Sequence, residues 1–147
     1  SVNVSKLGAK PYLTAGCGGF VDITAHAQNI VFSGFFTAGA QLEVGNGKLT
    51  ILKEGKTRKF VKKGEHITFS GVVGRERNQH VTYVTERCVI SLEKDGLMVT
   101  EIAPGIDLQR DVLGQSDIEL RVSPALKLMD SALFTDAPMG LQLKAGK

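Results

Sequence analysis

The sequence predicts an α/β fold, a mixed sheet flanked by helices with an antiparallel hairpin region, and three observations carry that prediction. The run Asn29-Ile30-Val31-Phe32-Ser33-Gly34-Phe35-Phe36 is almost wholly apolar, the pattern of a strand buried on both faces of a parallel or mixed sheet. Short alternating apolar runs are separated by Gly45-Asn46-Gly47, Glu54-Gly55-Lys56, Lys63-Gly64-Glu65 and Lys94-Asp95-Gly96, and Asn-Gly and Asp-Gly between such runs are hairpin signals. Finally, Phe20 to Ala27 and Asp107 to Leu113 have helical patterning.

In chain order, Val2 and Val4 alternate with polar residues and predict a short strand, followed by a loop through Gly8, Lys10 and Pro11. The opening Ser1-Val2-Asn3-Val4-Ser5 reads like strand interior, so the chain is expected to start in mid-domain. The first helix has Asp22 near its start, where a carboxylate complements the helix dipole. After the apolar strand, Gln41 to Phe69 is expected to form an antiparallel meander attached to the main sheet. Gly74 to His80 reads as a polar connection, and Val81 to Leu92 as one strand. The Lys94-Asp95-Gly96 turn joins it to a second strand, Leu97 to Ile102. Pro104-Gly105 breaks the chain; Asp107 caps the next helix and Gly114 ends it. Asp117 to Val122 is expected as a last strand, Leu126 to Phe134 as a helical turn or two, and 135–147 as a tail.

The chain of 147 residues, 42% hydrophobic and 22% charged, fits a single domain over 1–147 that buries roughly two-thirds of its unfolded surface. Eighteen Lys and Arg against fifteen Asp and Glu leave +3, too small and dispersed to mark a nucleic-acid or membrane protein. Two distant cysteines, without a secretory signal or an apolar run near the roughly 18 residues a bilayer needs, point to a reducing, cytoplasmic setting.

The chemistry centres on Thr14-Ala15-Gly16-Cys17-Gly18-Gly19-Phe20. Three glycines in four positions remove the Cβ atoms that would hold a ligand away from backbone N–H groups, so the turn suits an anion or a developing oxyanion. It matches neither the dinucleotide fingerprint nor the phosphate loop. Cys17 has two readings, a thiolate nucleophile before a helix or a small residue packed in a crowded turn. Seven basic residues from Lys48 to Lys63 are either a patch for a phosphorylated ligand or a solvated hairpin whose lysines discourage edge pairing. Glu86 beside Arg87 is either an ion-paired site carboxylate or a structural salt bridge within a strand. His26, His66 and His80 lack metal-ligand spacing, and no metal site is expected.

Several stretches in order resemble the C-terminal part of a family I CoA-transferase: Gly16-Cys17-Gly18-Gly19-Phe20-Val21-Asp22-Ile23, Val31 to Gly39, Glu65 to Gly71, Tyr83-Val84-Thr85-Glu86-Arg87 and Glu101 to Leu108. The resemblance is to the acetate or propionate type, similar to acetoacetate and 3-oxoacid CoA-transferases, and it covers nearly the whole chain. It implies the β-half of that architecture and an activity moving CoA between an acyl-CoA and a short-chain carboxylate, as in ketone-body or short-chain fatty acid metabolism. It also implies covalent catalysis through a glutamyl-CoA thioester. The family's nucleophile lies in a Glu-(Asn or Ser)-Gly motif upstream of the glycine turn. Neither Glu43-Val44-Gly45 nor Glu54-Gly55-Lys56 has that form or place, so the glutamate is expected outside this chain, which alone is expected to be inactive. The role left here is for Gly16, Cys17, Gly18 and Gly19, with Asn3, to line the CoA and oxyanion site. Because the resemblance gives the nucleophile's part to a glutamate, it speaks against Cys17 in that role. CoA enters as substrate, with no cofactor. The expected partners are the catalytic part of the same enzyme, acyl-CoA and carboxylate, with neither nucleic acid nor membrane; this part is expected to bury an apolar face against the N-terminal part and to associate when isolated, and the complete enzyme is expected to be a homo-oligomer. A non-catalytic binding module for CoA or another phosphorylated ligand, and an assembly subunit, are the competing readings.

Overall fold

The computed structural model describes residues 17–64 and 67–142. The strand expected at Val2 and Val4 and the loop at Gly8 to Pro11 lie outside the described residues. A five-stranded mixed sheet has the order β1-β6-β7-β8-β9, with β1 Asn29–Ser33, β6 His80–Val84, β7 Cys88–Glu93, β8 Gly96–Ile102 and β9 Arg121–Leu128. The outer pairs β1/β6 and β8/β9 are parallel, and β6/β7 and β7/β8 are antiparallel. The mixed sheet predicted from the sequence is therefore present.

Helix α1, Phe20–His26, forms where the sequence places it, with Asp22 in its first turn. A second helix, α2 Gly71–Glu76, overlaps the segment read as a polar connection. Both pack on one face of the sheet. Phe20, Ala27 and Phe32 close on a cluster of Ile30, Phe69 and Val81, and a Cβ on Gly74 of α2 would come within 2.9 Å of the Phe69 ring. The cluster continues through Tyr83 toward Phe36, Cys88, Ile90, Val99, Val112 and Leu120.

Several expectations are corrected. β1 is shorter than the apolar run, and of its five residues only Ile30 is buried, because the strand lies at the described sheet's edge. Val81 to Leu92 is two strands, not one: the chain reverses at Thr85–Arg87, where the Thr85 N–H donates to the Cys88 carbonyl at 2.9 Å and the Cys88 N–H to Thr85 Oγ1 at 3.0 Å. The meander stands off the main sheet as two separate pairs. One is the hairpin of β3 Gln41–Gly45 with β4 Lys48–Lys53, and the other joins β2 Thr37–Ala38 to β5 Thr57–Arg58. Asn46-Gly47 does make the expected hairpin, with both residues at positive φ, 52° and 72°.

Asp107 caps the next helix as predicted, its carboxylate accepting from the Arg110 N–H at 2.7 Å. That helix is a π-helical turn, Leu108–Val112, and Gly114 sits inside the following 3-10 turn, Leu113–Gln115, instead of ending the helix. The last strand runs Arg121–Leu128, later than Asp117 to Val122, and only Ser131–Phe134 of the predicted terminal helix is helical. Pro124 sits within β9, where an edge strand tolerates its missing N–H. Residues 135–142 carry no helix or strand. Among the described residues no helix is long and apolar enough to cross a membrane.

Candidate functional site

The glycine turn enters α1 as an open bend. Gly18 has φ +52°, in the left-handed region that favours glycine, and a Cβ there would meet nothing within 4 Å. Cys17, Gly18 and Gly19 are all exposed. The Phe20 N–H closes the turn onto the Cys17 carbonyl at 3.0 Å, and no side chain caps the helix. The alternative of Cys17 as a residue packed in a crowded turn is corrected, since its thiol is exposed. Gly16 and Asn3 lie outside the described residues.

The other polar centre is built on Arg87, fully buried at the β6–β7 reversal. Its Nε donates to Glu86 Oε1 at 2.8 Å, and its two terminal nitrogens fork onto Glu54 Oε2 and Oε1 at 2.8 and 2.9 Å. The same nitrogens reach the Asp111 carbonyl at 2.9 Å and Thr37 Oγ1 at 3.0 Å, and the guanidinium stacks 5.3 Å from the Phe36 ring centroid. A planar fork suits this bidentate, stacked geometry in a way a lysine would not. Glu54 also accepts from the Thr37 hydroxyl and, at 2.7 Å, from the Gly55 N–H. The Arg87 hydrogen bonds, followed by those of Thr37 and Gly55, hold the Glu54 carboxyl down at about 2 against the cost of its partial burial. Glu86 Oε2 accepts the Phe36 N–H at 2.8 Å.

Four separate pieces of chain, the segments at Phe36-Thr37, Glu54, Glu86-Arg87 and Asp111, are thus tied to one cation. Both oxygens of Glu54 and both of Glu86 accept hydrogen bonds, and each carboxylate is ion-paired to the buried Arg87 guanidinium, which weakens it as a nucleophile. Of the two readings of Glu86-Arg87, the structure supports the salt bridge, placed in a turn and not within a strand. The sequence reading missed Glu54 and treated it as a hairpin turn. The available signal was Gly55: a Cβ there would collide with Thr37 Oγ1 and stand 2.6 Å from the Ala38 carbonyl, so glycine is what lets the two segments meet.

Cys88 is buried and its thiol is pushed up to about 12, chiefly by burial, which makes it inert. In the basic segment, Arg58 is committed to Asp117 at 2.6 Å and to the Gly114 carbonyl at 2.8 Å. Lys48, Lys53, Lys56, Lys59, Lys62 and Lys63 form no ion pair among the described residues. An open cavity of about 410 Å³ lies between β4, Glu54, Arg110 and Asp111. The Asp111 carboxyl in it is lowered, first by its hydrogen bonds from Arg110. Among the described residues no group of His, Cys, Asp and Glu is arranged to hold a metal ion.

No family model matches the chain. It is 47% identical over 144 residues to acetate CoA-transferase YdiF of Escherichia coli O157:H7, covering 97% of this chain and 27% of that protein. It is also 47% identical over 150 residues to caffeate CoA-transferase of Acetobacterium woodii, covering 100% of this chain and 28% of that protein. A crystal structure of the acyl-CoA transferase YdiF from E. coli O157:H7, in thioester complex with CoA, superposes with a TM-score of 0.85 at 48% identity, over 89% of this chain and 26% of that one. The apoenzyme of the same transferase gives 0.86 at 47% identity, over 90% and 26%. By sequence and by fold, the chain is a relative of the CoA-transferases that spans about a quarter of their length.

Proposed function

We propose that this chain forms part of a CoA-transferase that moves CoA between an acyl-CoA and a short-chain carboxylate. A glutamate outside residues 1–147 attacks the thioester carbonyl to give a mixed anhydride and CoA thiolate. The thiolate then displaces the acyl carboxylate, leaving a glutamyl-CoA thioester, from which a second carboxylate takes the CoA by the reverse steps. The turn Gly16, Cys17, Gly18 and Gly19, with Asn3, lines the CoA site, and its backbone N–H groups face the oxyanion formed at each attack. The setting is cytoplasmic, the working enzyme an oligomer, and CoA a substrate and not a resident cofactor.

The observation that carries this reading is the fold-level match, at 48% identity, to a transferase captured as a thioester with CoA. The engagement of Glu54 and Glu86 with Arg87 supports a nucleophile elsewhere. The test is to incubate the enzyme containing this chain with acetyl-CoA, reduce with borohydride and map the modified residue by peptide mass spectrometry. The expected result is a reduced glutamate outside residues 1–147. Modification of Cys17, of Glu54 or of Glu86, or of nothing at all, overturns the proposal.

A further inference from the structure

Helix α1 is too short to hold itself. Its seven residues span about 10 Å, and an isolated helix below about 12 residues is marginal in water, so α1 depends on what surrounds it. Little of that is apolar packing. Val21 and Ile23 are 42% and 69% exposed, and Thr24, the one buried residue of the helix, spends its hydroxyl on the Phe20 carbonyl at 2.8 Å. Phe20 at the start of the helix and Ala27 just past its end pack on the cluster of Ile30, Phe69 and Val81. No side chain caps the N-terminal end.

The C-terminal end is held by a different segment. Carbonyls in the last turn of a helix have no partner within it. Here the Gln79 amide nitrogen donates to the Thr24 and Ala27 carbonyls at 2.8 and 2.6 Å, Arg77 Nη1 to the Ala25 carbonyl at 3.0 Å, and the His80 N–H to the Gln28 carbonyl at 2.8 Å. Gln79 is 7% exposed, and because both partners of its side chain are acceptors, only the NH2 end satisfies them. The local backbone aims it. Asn78 has φ +56°, in the left-handed region that asparagine tolerates better than most residues. The Gln79 N–H donates to the Gly74 carbonyl at 2.9 Å and the Asn78 N–H to the Arg75 carbonyl at 3.0 Å, the two bonds of a Schellman motif. That motif ends α2 and turns Gln79 back toward α1.

We propose that Gln79 is a positioning residue for the candidate CoA site. By joining the end of α2 to the end of α1, it fixes the direction of a short and thinly packed helix, and with it the Cys17–Gly19 turn at the opposite end. It acts through the helix, not on the substrate. The cap on α1 stands on its own contacts, whereas its role at the site rests on the reading above that this turn lines CoA.

The test compares the enzyme containing this chain with its Gln79→Met variant, which keeps the length of the side chain and removes both donors. Hydrogen exchange read by mass spectrometry is expected to speed at least about tenfold over residues 20–27 and to stay unchanged over residues 88–102 in the centre of the sheet. The KM for acetyl-CoA is expected to rise at least about fivefold, whereas a variant that merely loses folded enzyme lowers the maximal rate and leaves KM where it is. Unchanged exchange over 20–27 overturns the cap, and faster exchange with the parental KM overturns the positioning role. The parent separates that failure from failure of the CoA reading: if CoA does not slow alkylation of Cys17 by iodoacetamide, the turn does not line the site and the proposal falls whatever Gln79 does. Should Gln79→Met not fold, Arg77→Ala, which removes an exposed donor to Ala25, decides by the same readouts. Exchange over 20–27 at least about twofold faster, together with a raised KM, supports the proposal, and anything less overturns it.

Discussion

The Arg87 centre and the glycine turn both present polar groups at a turn of the chain, and differ in one respect. Around Arg87 the donors are consumed inside the protein: the guanidinium is fully buried, all three of its nitrogens donate to partners from four pieces of chain, and no buried side-chain polar atom among the described residues lacks a hydrogen-bond partner. At Cys17–Gly19 the backbone is exposed, uncapped by any side chain and free of Cβ atoms on two of three residues. A saturated cluster rigidifies, and an unsaturated one has capacity left for a ligand. The rank of a polar site as functional therefore depends less on its charges than on what its lone pairs already do.

The largest effect that breaks this contrast is removal of Arg87. Arg87→Ala strands Glu54 and Glu86 in a partly dry site and cuts the tie to the Asp111 carbonyl, and breaking a buried pair from one side typically costs about 3–5 kcal/mol. Against a total stability of about 5–15 kcal/mol that is close to unfolding. Urea denaturation of the two proteins measures it. A loss below about 1 kcal/mol contradicts the saturated-brace description.

A smaller and sharper probe is acid. Glu54 has its carboxyl lowered from 4.5 to about 2, mainly by the Arg87 hydrogen bonds. A depressed carboxylate contributes stability that is fully present above its unfolded value and is lost as pH falls toward its folded one. The stability difference between the parent and Glu54→Gln is thus constant above about pH 5, about half gone near pH 3.3, and exhausted near pH 2. Since the Glu54 side chain is 31% exposed, solvent screens part of the interaction, and the window, more than the amplitude, is diagnostic. A difference that stays flat from pH 6 to 2 would show that Glu54 is not held by Arg87 in solution.

Legibility in the sequence follows the same divide. The glycine turn, α1, the Asn46-Gly47 and Asp95-Gly96 hairpins and the Asp107 cap were readable because each is made by neighbours in the chain. The Arg87 centre was not, because Glu54 meets Arg87 across 33 residues and the local Glu-Gly pair looked like one more hairpin. The break between β6 and β7 was hidden for a related reason. Thr and Arg suit a strand, and the reversal comes from Thr85 Oγ1 bonding the Cys88 N–H and from the pull of the distant Glu54 on Arg87. β1 shows the opposite error. Its composition was that of a strand buried on both faces, whereas of its five residues only Ile30 is buried. Of the five proposed site residues, Asn3 and Gly16 lie outside the described residues, so geometry speaks only for Cys17, Gly18 and Gly19.

The smallest expected effect belongs to Cys17, and its smallness is informative. Its side chain is exposed, so Cys17→Ala is expected to change stability by no more than about 0.5 kcal/mol. In the complete enzyme the same substitution is expected to keep more than about a tenth of the transfer rate, because a lining residue that offers only its backbone N–H loses little with its side chain. Loss of the thiol nucleophile of a covalent mechanism would instead cost about four to six orders of magnitude. The two cysteines also supply an internal control. A thiol reagent is expected to titrate Cys17 and spare Cys88, whose thiol is buried and pushed up to about 12. Bound CoA that slows the Cys17 reaction, with turnover of the alanine variant intact, supports a thiol that lines the site without reacting in it. An unprotected Cys17 separates the turn from CoA altogether and leaves the exposed backbone of Cys17–Gly19 to a different ligand.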